Sequence, residues 1–164
     1  MSQIDVIVPV YQPNMSWFDQ MKDSINVQML GKSQFKVTLG VAEECNHKAP
    51  SYENIYEQIE RAYRKTKSPY VIVFGCDDVM NPGFLLELLT IAKKEDSAIV
   101  YSNYEMMHEN GTFQQHVQLS PRYDFLQNCR LPHYPDVALF SRAAIEECGA
   151  GFNTSNGRYV MWSL

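Results

Sequence analysis

Apolar residues fall along the chain in two alternating rhythms. Unbroken β-rich runs at Ile4 to Val10, Phe35 to Val41, Tyr70 to Phe74 and Ala98 to Tyr104 predict strands. Between them, apolar positions recur every three or four residues and predict helices. In the first interval Ser16 is placed to cap a helix whose inward face is Phe18, Met21, Ile25 and Met29, with Gly31 as its end. In the second, Tyr52, Ile55, Ile59 and Ala62 form the stripe. Arg61, Arg64, Lys65 and Lys67 crowd its last turns, where cations complement the helix dipole. The third helix runs from Gly83 to Lys94 with Phe84, Leu85, Leu88, Leu89 and Ala92 inward, and Asn81 and Pro82 suit an N-cap and a first helical residue.

Strand and helix alternating through residue 104 predict right-handed crossovers and an α/β fold: a mainly parallel, Rossmann-like sheet flanked by helices. The rhythm then changes. Glu109-Asn110-Gly111-Thr112 is a hairpin-turn signal leading into the more polar run Phe113 to Val117. Arg122 to Cys129 suits a short helix, Val137 to Phe140 a strand, and Arg142 to Cys148 a short helix stopped by Gly149. The C-terminal part is therefore expected to be antiparallel or mixed. No internal repeat or low-complexity segment interrupts this order.

Tyr70 to Phe74 lacks polar alternation, as befits a parallel strand covered on both faces, and it runs directly into Asp77-Asp78. In open α/β sheets ligands bind outside the carboxyl ends of the strands, so a carboxylate pair there is well placed to meet one. Hard cations take oxygen ligands, and Mg²⁺ typically uses one or two carboxylates while substrate phosphates fill other positions. A solvated turn that caps the next helix fits the same residues, so both readings stand at this point.

The whole chain of 164 residues, 45% hydrophobic and 20% charged, fits one domain over 1–164. A formal charge of -5 argues against a sequence-independent nucleic-acid binder. Cys45, Cys76, Cys129 and Cys148 show neither a zinc spacing nor a disulfide framework, which fits a reducing compartment. With no leader pattern at Met-Ser-Gln-Ile-Asp and no long apolar run, the expected location is cytoplasmic, without a membrane span. Tyr159, Val160, Met161, Trp162 and Leu164 need cover, which suggests a homo-oligomer or a partner chain against the C-terminus.

Several stretches, in order, resemble the family 2 glycosyltransferases, which adopt a GT-A fold. Val6-Ile7-Val8-Pro9-Val10-Tyr11 is similar to that family's opening strand and nucleotide-binding loop, and Glu43-Glu44 falls where an acidic pair meets the nucleoside. Val71 to Pro82 resembles its strand, metal-binding Asp-x-Asp motif and helix start. Val100 to Asn103, Glu109 to Gly111, Leu139 to Ala144 and Gly149 to Phe152 follow as its later landmarks. The resemblance implies a nucleotide-diphosphate sugar as donor, contacted by Pro9, Val10, Tyr11, Glu43, Glu44 and Asp77. It further implies Mn²⁺ or Mg²⁺ on Asp77 and Asp78, and a glycan or other hydroxyl acceptor. Residues 1–104 would form the nucleotide-sugar half and 105–164 an acceptor-side half of a short GT-A domain.

Two departures bear on activity. Where the family reads Asp-x-Asp-Asp, this chain has Gly75-Cys76-Asp77-Asp78, without the first carboxylate. Where it carries a Glu-Asp pair shortly before a Trp, this chain has Gly157-Arg158-Tyr159-Val160-Met161-Trp162. An inverting transfer needs a base for the attacking hydroxyl. The candidate is Asp136, in the segment Leu131 to Asp136 with His133, and Asp124 and Glu105 are alternatives. The function expected is thus metal-assisted, inverting sugar transfer, or else a nucleotide-sugar-binding module that is catalytically weak or inactive. A nucleotidyltransferase is disfavoured, because no Gly-rich, Lys-bearing loop follows the first strand.

Overall fold

The computed structural model describes residues 2–10, 15–41, 52–108, 110–119 and 137–147. Their elements are β1 (Ile4–Val10), α1 (Met15–Asn26), β2 (Phe35–Val41), α2 (Tyr52–Lys65), β3 (Tyr70–Val73), α3 (Phe84–Glu95), β4 (Ile99–Tyr101), β5 (Tyr104–Met107), β6 (Phe113–Val117), β7 (Ala138–Ser141) and α4 (Arg142–Glu147). One sheet has the order β2-β1-β3-β7-β4, and β5 and β6 form a separate ribbon. β1 is parallel to both neighbours, with Ile4 opposite Phe35 on one side and Tyr70 on the other. β7 enters the sheet antiparallel to β3 and β4. The parallel α/β core and the antiparallel later part both follow the expectation.

Alternation along the strands divides the core between the two faces of the sheet. Ile4, Val6, Val8 and Ile72 pack with Met21 and Ile25 of α1 and with Leu85, Leu88, Leu89 and Ala92 of α3. Ile7, Val71 and Val73 meet Ile59 and Ala62 of α2. β3 is therefore covered on both faces, which is why its apolar run has no polar alternation. Each such side chain, fully buried, stabilises the fold by about 1.5–3 kcal/mol.

The amino-terminal end of this sheet is locked by buried polar groups. Asp5 is 1% exposed. Its carboxylate accepts the Ser68 N–H at 2.7 Å and the Ser68 hydroxyl at 2.8 Å, and Arg142 Nη2 lies 3.2 Å away. Arg142 also donates to the Ser68 carbonyl and to Thr66 Oγ1, and its guanidinium lies 4.3 Å from the centre of the Tyr63 ring. The residue that opens α4 thus ties the late chain to the start of β1 and to the segment before β3.

Three local expectations are corrected. α1 ends at Asn26 rather than near Gly31, and Met29 is 69% exposed while Leu30 is buried in its stead. The Gln28 N–H reaches back only to the Ile25 carbonyl, a tightened turn that swings the chain out of the helix. The expected strand from Ala98 to Tyr104 is two strands, β4 and β5, broken at Ser102-Asn103, where Asn103 Oδ1 accepts the Leu119 N–H at 2.9 Å. α3 is capped at Gly83, not Asn81, and without a side-chain hydrogen bond from the cap residue. The expected hairpin forms, with Gly111 at φ +80° in its turn. The expected helix from Arg122 to Cys129 lies outside the described residues. Among those described, no helix is long and apolar enough to cross a membrane.

Candidate active site at the carboxyl ends of β1 and β3

β1 and β3 are hydrogen-bonded neighbours running the same way, and their pairing continues past β3 through the Phe74 N–H to the Ile7 carbonyl at 2.9 Å. Pro9 and Val10 at the end of one strand thus share an end of the sheet with the loop that follows the other. That loop is fixed at two points. Cys76 and Met80 are buried in the core, and between them Asp77, Asp78 and Val79 face solvent. The Asp78 N–H reaches the Gly75 carbonyl at 3.3 Å, closing a turn.

Gly75 decides how close the two carboxylates come. A Cβ on Gly75 would lie 2.5 Å from Asp78 Oδ2 and 3.0 Å from Asp77 Oδ1. Both oxygens therefore crowd the space that a side chain at position 75 would take, and lie no farther apart than the sum of those lengths. The missing first carboxylate of the Asp-x-Asp-Asp pattern is thus a notch that the two remaining acids fill. Two solvent-facing carboxylates brought together in this way offer the oxygen donors a hard divalent cation takes, with its other positions left to phosphate and water. Among the described residues no third His, Cys, Asp or Glu joins a metal-sized group.

A side chain that the sequence reading did not single out holds the end of β1. Gln58, on α2, is 2% exposed and its Oε1 accepts the Val10 N–H at 3.1 Å. Gly40 makes room for it, because a Cβ there would lie 3.0 Å from Gln58 Cβ. Gln58 Nε2 is buried with no hydrogen-bond partner among the described residues. A buried amide donor without an acceptor is unusual, and water or a ligand commonly completes such a group. The signal in the sequence is a Gln inside the Ile55, Ile59, Ala62 stripe.

The other site candidates divide into placed and unplaced. Tyr11, Glu43, Glu44, Asp124 and Asp136 lie outside the described residues. Glu105 is exposed on β5 and stands opposite His116 of β6, with 3.8 Å between Oε1 and Nδ1. This acid–histidine pair is created by strand register alone. Arg61 and Arg64 meet Glu57 at 2.5 Å and Glu60 at 2.7 Å, one turn back along α2, as expected of a solvated helix face.

No protein-family model matches the chain, and no curated protein matches it. Solved structures do. S. aureus TarS 1-349 superposes with a TM-score of 0.73 at 15% identity, covering 98% of this chain and 52% of that one. The same protein in complex with UDP-GlcNAc gives 0.68 at 14% identity, over 92% and 48%. The mannosyltransferase PcManGT from Pyrobaculum calidifontis, in complex with GDP-Man and Mn²⁺, gives 0.63 at 14% identity, over 93% and 48%. The chain therefore has the GT-A-type fold of glycosyltransferases, as its ordered motifs implied, and spans about half the length of the structures it matches.

Proposed function

We propose that the chain binds a nucleotide-diphosphate sugar at the carboxyl ends of β1 and β3 and transfers the sugar to a hydroxyl acceptor with inversion. The observation that carries this reading is the pair of carboxylates converging over Gly75 beside the end of β1. It is supported by the fold shared with structures solved with UDP-GlcNAc or with GDP-Man and Mn²⁺. In this reading Pro9, Val10 and Tyr11, with Glu43 and Glu44, contact the nucleoside, and Gln58 Nε2 supplies one donor beside them. Asp77 and Asp78 hold Mn²⁺ or Mg²⁺. The cation, when bound, neutralises charge on the departing diphosphate.

The transfer itself is a single displacement. The acceptor oxygen forms a bond to the anomeric carbon, the bond from that carbon to the diphosphate oxygen breaks, and the acceptor proton passes to a carboxylate. Asp136 is the proposed base. Residues 1–104 carry the donor in this scheme and residues 105–164 face the acceptor. Glu105 remains the alternative base, with His116 Nδ1 3.8 Å from its carboxylate, where a protonated imidazole would pair with it.

Calorimetry with UDP and GDP, each with and without Mn²⁺, tests the binding step: metal-dependent binding of at least one is expected, and heat from neither would refute the site. Release of free sugar or transfer from a panel of UDP-sugars and GDP-sugars tests the chemistry. The second reading is a binding module without turnover, favoured by Gly75 and by Arg158, which stand where the resemblance would place acids. Tight metal-dependent nucleotide binding with no turnover across that panel would select it.

A further inference from the structure

The loop that presents Asp77 and Asp78 is held on its far side by the end of α1 and the turn after it, through contacts made almost wholly to its backbone. Ser24 Oγ accepts the Met80 N–H at 3.1 Å while donating to the Met21 carbonyl at 2.7 Å. Gln28 Nε2 donates to the Asn81 carbonyl at 2.7 Å and to the Ser24 carbonyl at 3.1 Å, and Gln28 Oε1 accepts the Leu85 N–H at 3.1 Å. The Met29 N–H completes the set on the Pro82 carbonyl at 2.8 Å. Both polar side chains are buried, and every hydrogen of the Gln28 amide group is used.

We infer that Ser24 and Gln28 are positioning residues for the acidic pair, setting where the Asp77-Asp78 turn stands relative to β1. The inference rests on the reading of that pair as a cation and diphosphate site. Three physical points carry it. First, the loop has no strand or helix of its own between Gly75 and Gly83 to fix its path; beyond the local bond from the Phe84 N–H to the Asn81 carbonyl, its backbone groups at 80, 81 and 82 take partners from Ser24, Gln28 and Met29. Second, Gln28 supplies the acceptor that α3 lacks at its first turn, because the cap residue Gly83 has no side chain to offer. The start of α3 and the acidic turn are thereby held by one amide. Third, buried polar groups are expensive to leave unpaired, so the clamp has one favourable arrangement and resists slippage.

Such a role differs from mere support of the fold. Partners that orient metal-binding carboxylates from behind change affinity without touching the ligand. Gln28→Leu removes all three amide hydrogen bonds while keeping an apolar body in the pocket. Ser24→Ala removes the bond from Met80 and the one donated to the Met21 carbonyl, leaves the Gln28 amide in place, and serves if Gln28→Leu does not fold. Ile25→Val, beside Ser24 in α1 and buried in the core, leaves every hydrogen bond of the clamp in place and is the control for general destabilisation.

The test has two readouts on the full chain. Amide hydrogen exchange at 78, 80 and 85 is expected to rise about tenfold or more in the clamp variants, with Val6 and Val8 of β1 unchanged. Mn²⁺ affinity, measured with UDP or GDP present, is expected to weaken about tenfold in the same variants and to stay at the wild-type value in Ile25→Val. Raised exchange with unchanged Mn²⁺ affinity would overturn the inference alone. Unchanged exchange in Gln28→Leu and Ser24→Ala would overturn it as well, by showing that the loop is held elsewhere. Absence of Mn²⁺ binding in the wild type would remove the reading of the acidic pair and the inference with it.

Discussion

Two sets of aspartates stand at opposite ends of neighbouring strands. Asp5, near the amino end of β1, and Asp77-Asp78, past the carboxyl end of β3, are the same residue type on one sheet. Asp5 is buried and receives two hydrogen bonds from Ser68 and one from Arg142. Its charge is fully engaged within the protein. Asp77 and Asp78 are exposed, and an oxygen of each lies within 3.0 Å of the place a Cβ on Gly75 would take. Like charges brought together are unfavourable unless a cation joins them. The difference teaches that a carboxylate's role depends on its surroundings: buried donors make Asp5 structural, while Asp77 and Asp78 stay open to solvent.

The largest effect that bears on this contrast is on stability. Asp5→Ala leaves the Arg142 guanidinium buried beside an empty space, and denaturant unfolding should show a loss of about 3–5 kcal/mol. A loss below about 1 kcal/mol would place Asp5 with ordinary surface residues and break the comparison. Asp77→Asn should do the reverse. Its unfolding free energy should stay within about 0.5 kcal/mol of wild type, while calorimetric affinity for Mn²⁺ with UDP or GDP falls at least about tenfold, or 1.4 kcal/mol.

Gly75→Ala sharpens the comparison further, because the φ of Gly75 is outside the left-handed region and the new Cβ displaces only a rotatable carboxylate. The acids should splay apart, with Mn²⁺ affinity reduced about threefold to tenfold and melting temperature almost unchanged. An affinity that rises would mean that convergence of the acids is not what binds the metal.

The smallest effect concerns the phenol beside Arg142. Burial raises the Tyr63 pKa above its ordinary 10.0, and the positive charge of Arg142 opposes that only in part. The neutral phenol is thus favoured in the folded state. Its contribution to stability is fully present below about pH 10 and is lost as pH rises through the raised value. The melting-temperature difference, wild type minus Tyr63→Phe, should shrink above about pH 10. A difference that grows would reverse the sign assigned to the burial.

Much of this was legible in the residues, for reasons that can be given element by element. β1, β2 and β3 were readable because short runs rich in β-branched residues suit strands, and α2 because its stripe at Ile55, Ile59 and Ala62 suits a helix. Asp77-Asp78 was readable as a candidate because ligands of open α/β sheets bind outside the carboxyl ends of the strands, though a capping turn fitted the same two residues. α1 was misread at its end: Met29 continues the helical spacing, yet the chain turns there so that Gln28 can enter the loop after β3. Local periodicity cannot register a partner more than fifty positions away. Ser24 in α1 and Gln28 just past its end continue the three- and four-residue spacing of Met21 and Ile25, and polar residues at such positions were the available sign of the clamp.

The amino-acid sequence by itself determined the order of strands and helices, the parallel core and the position of the acids after β3, since each depends on side-chain size, branching and polarity at near spacing. Only the tertiary structure decided that β7 enters between β3 and β4, that Arg142 reaches Asp5, and that Gly75 lets two carboxylates meet. Those outcomes depend on groups brought together from distant parts of the chain, where burial and hydrogen bonding select among arrangements that local preferences leave equal.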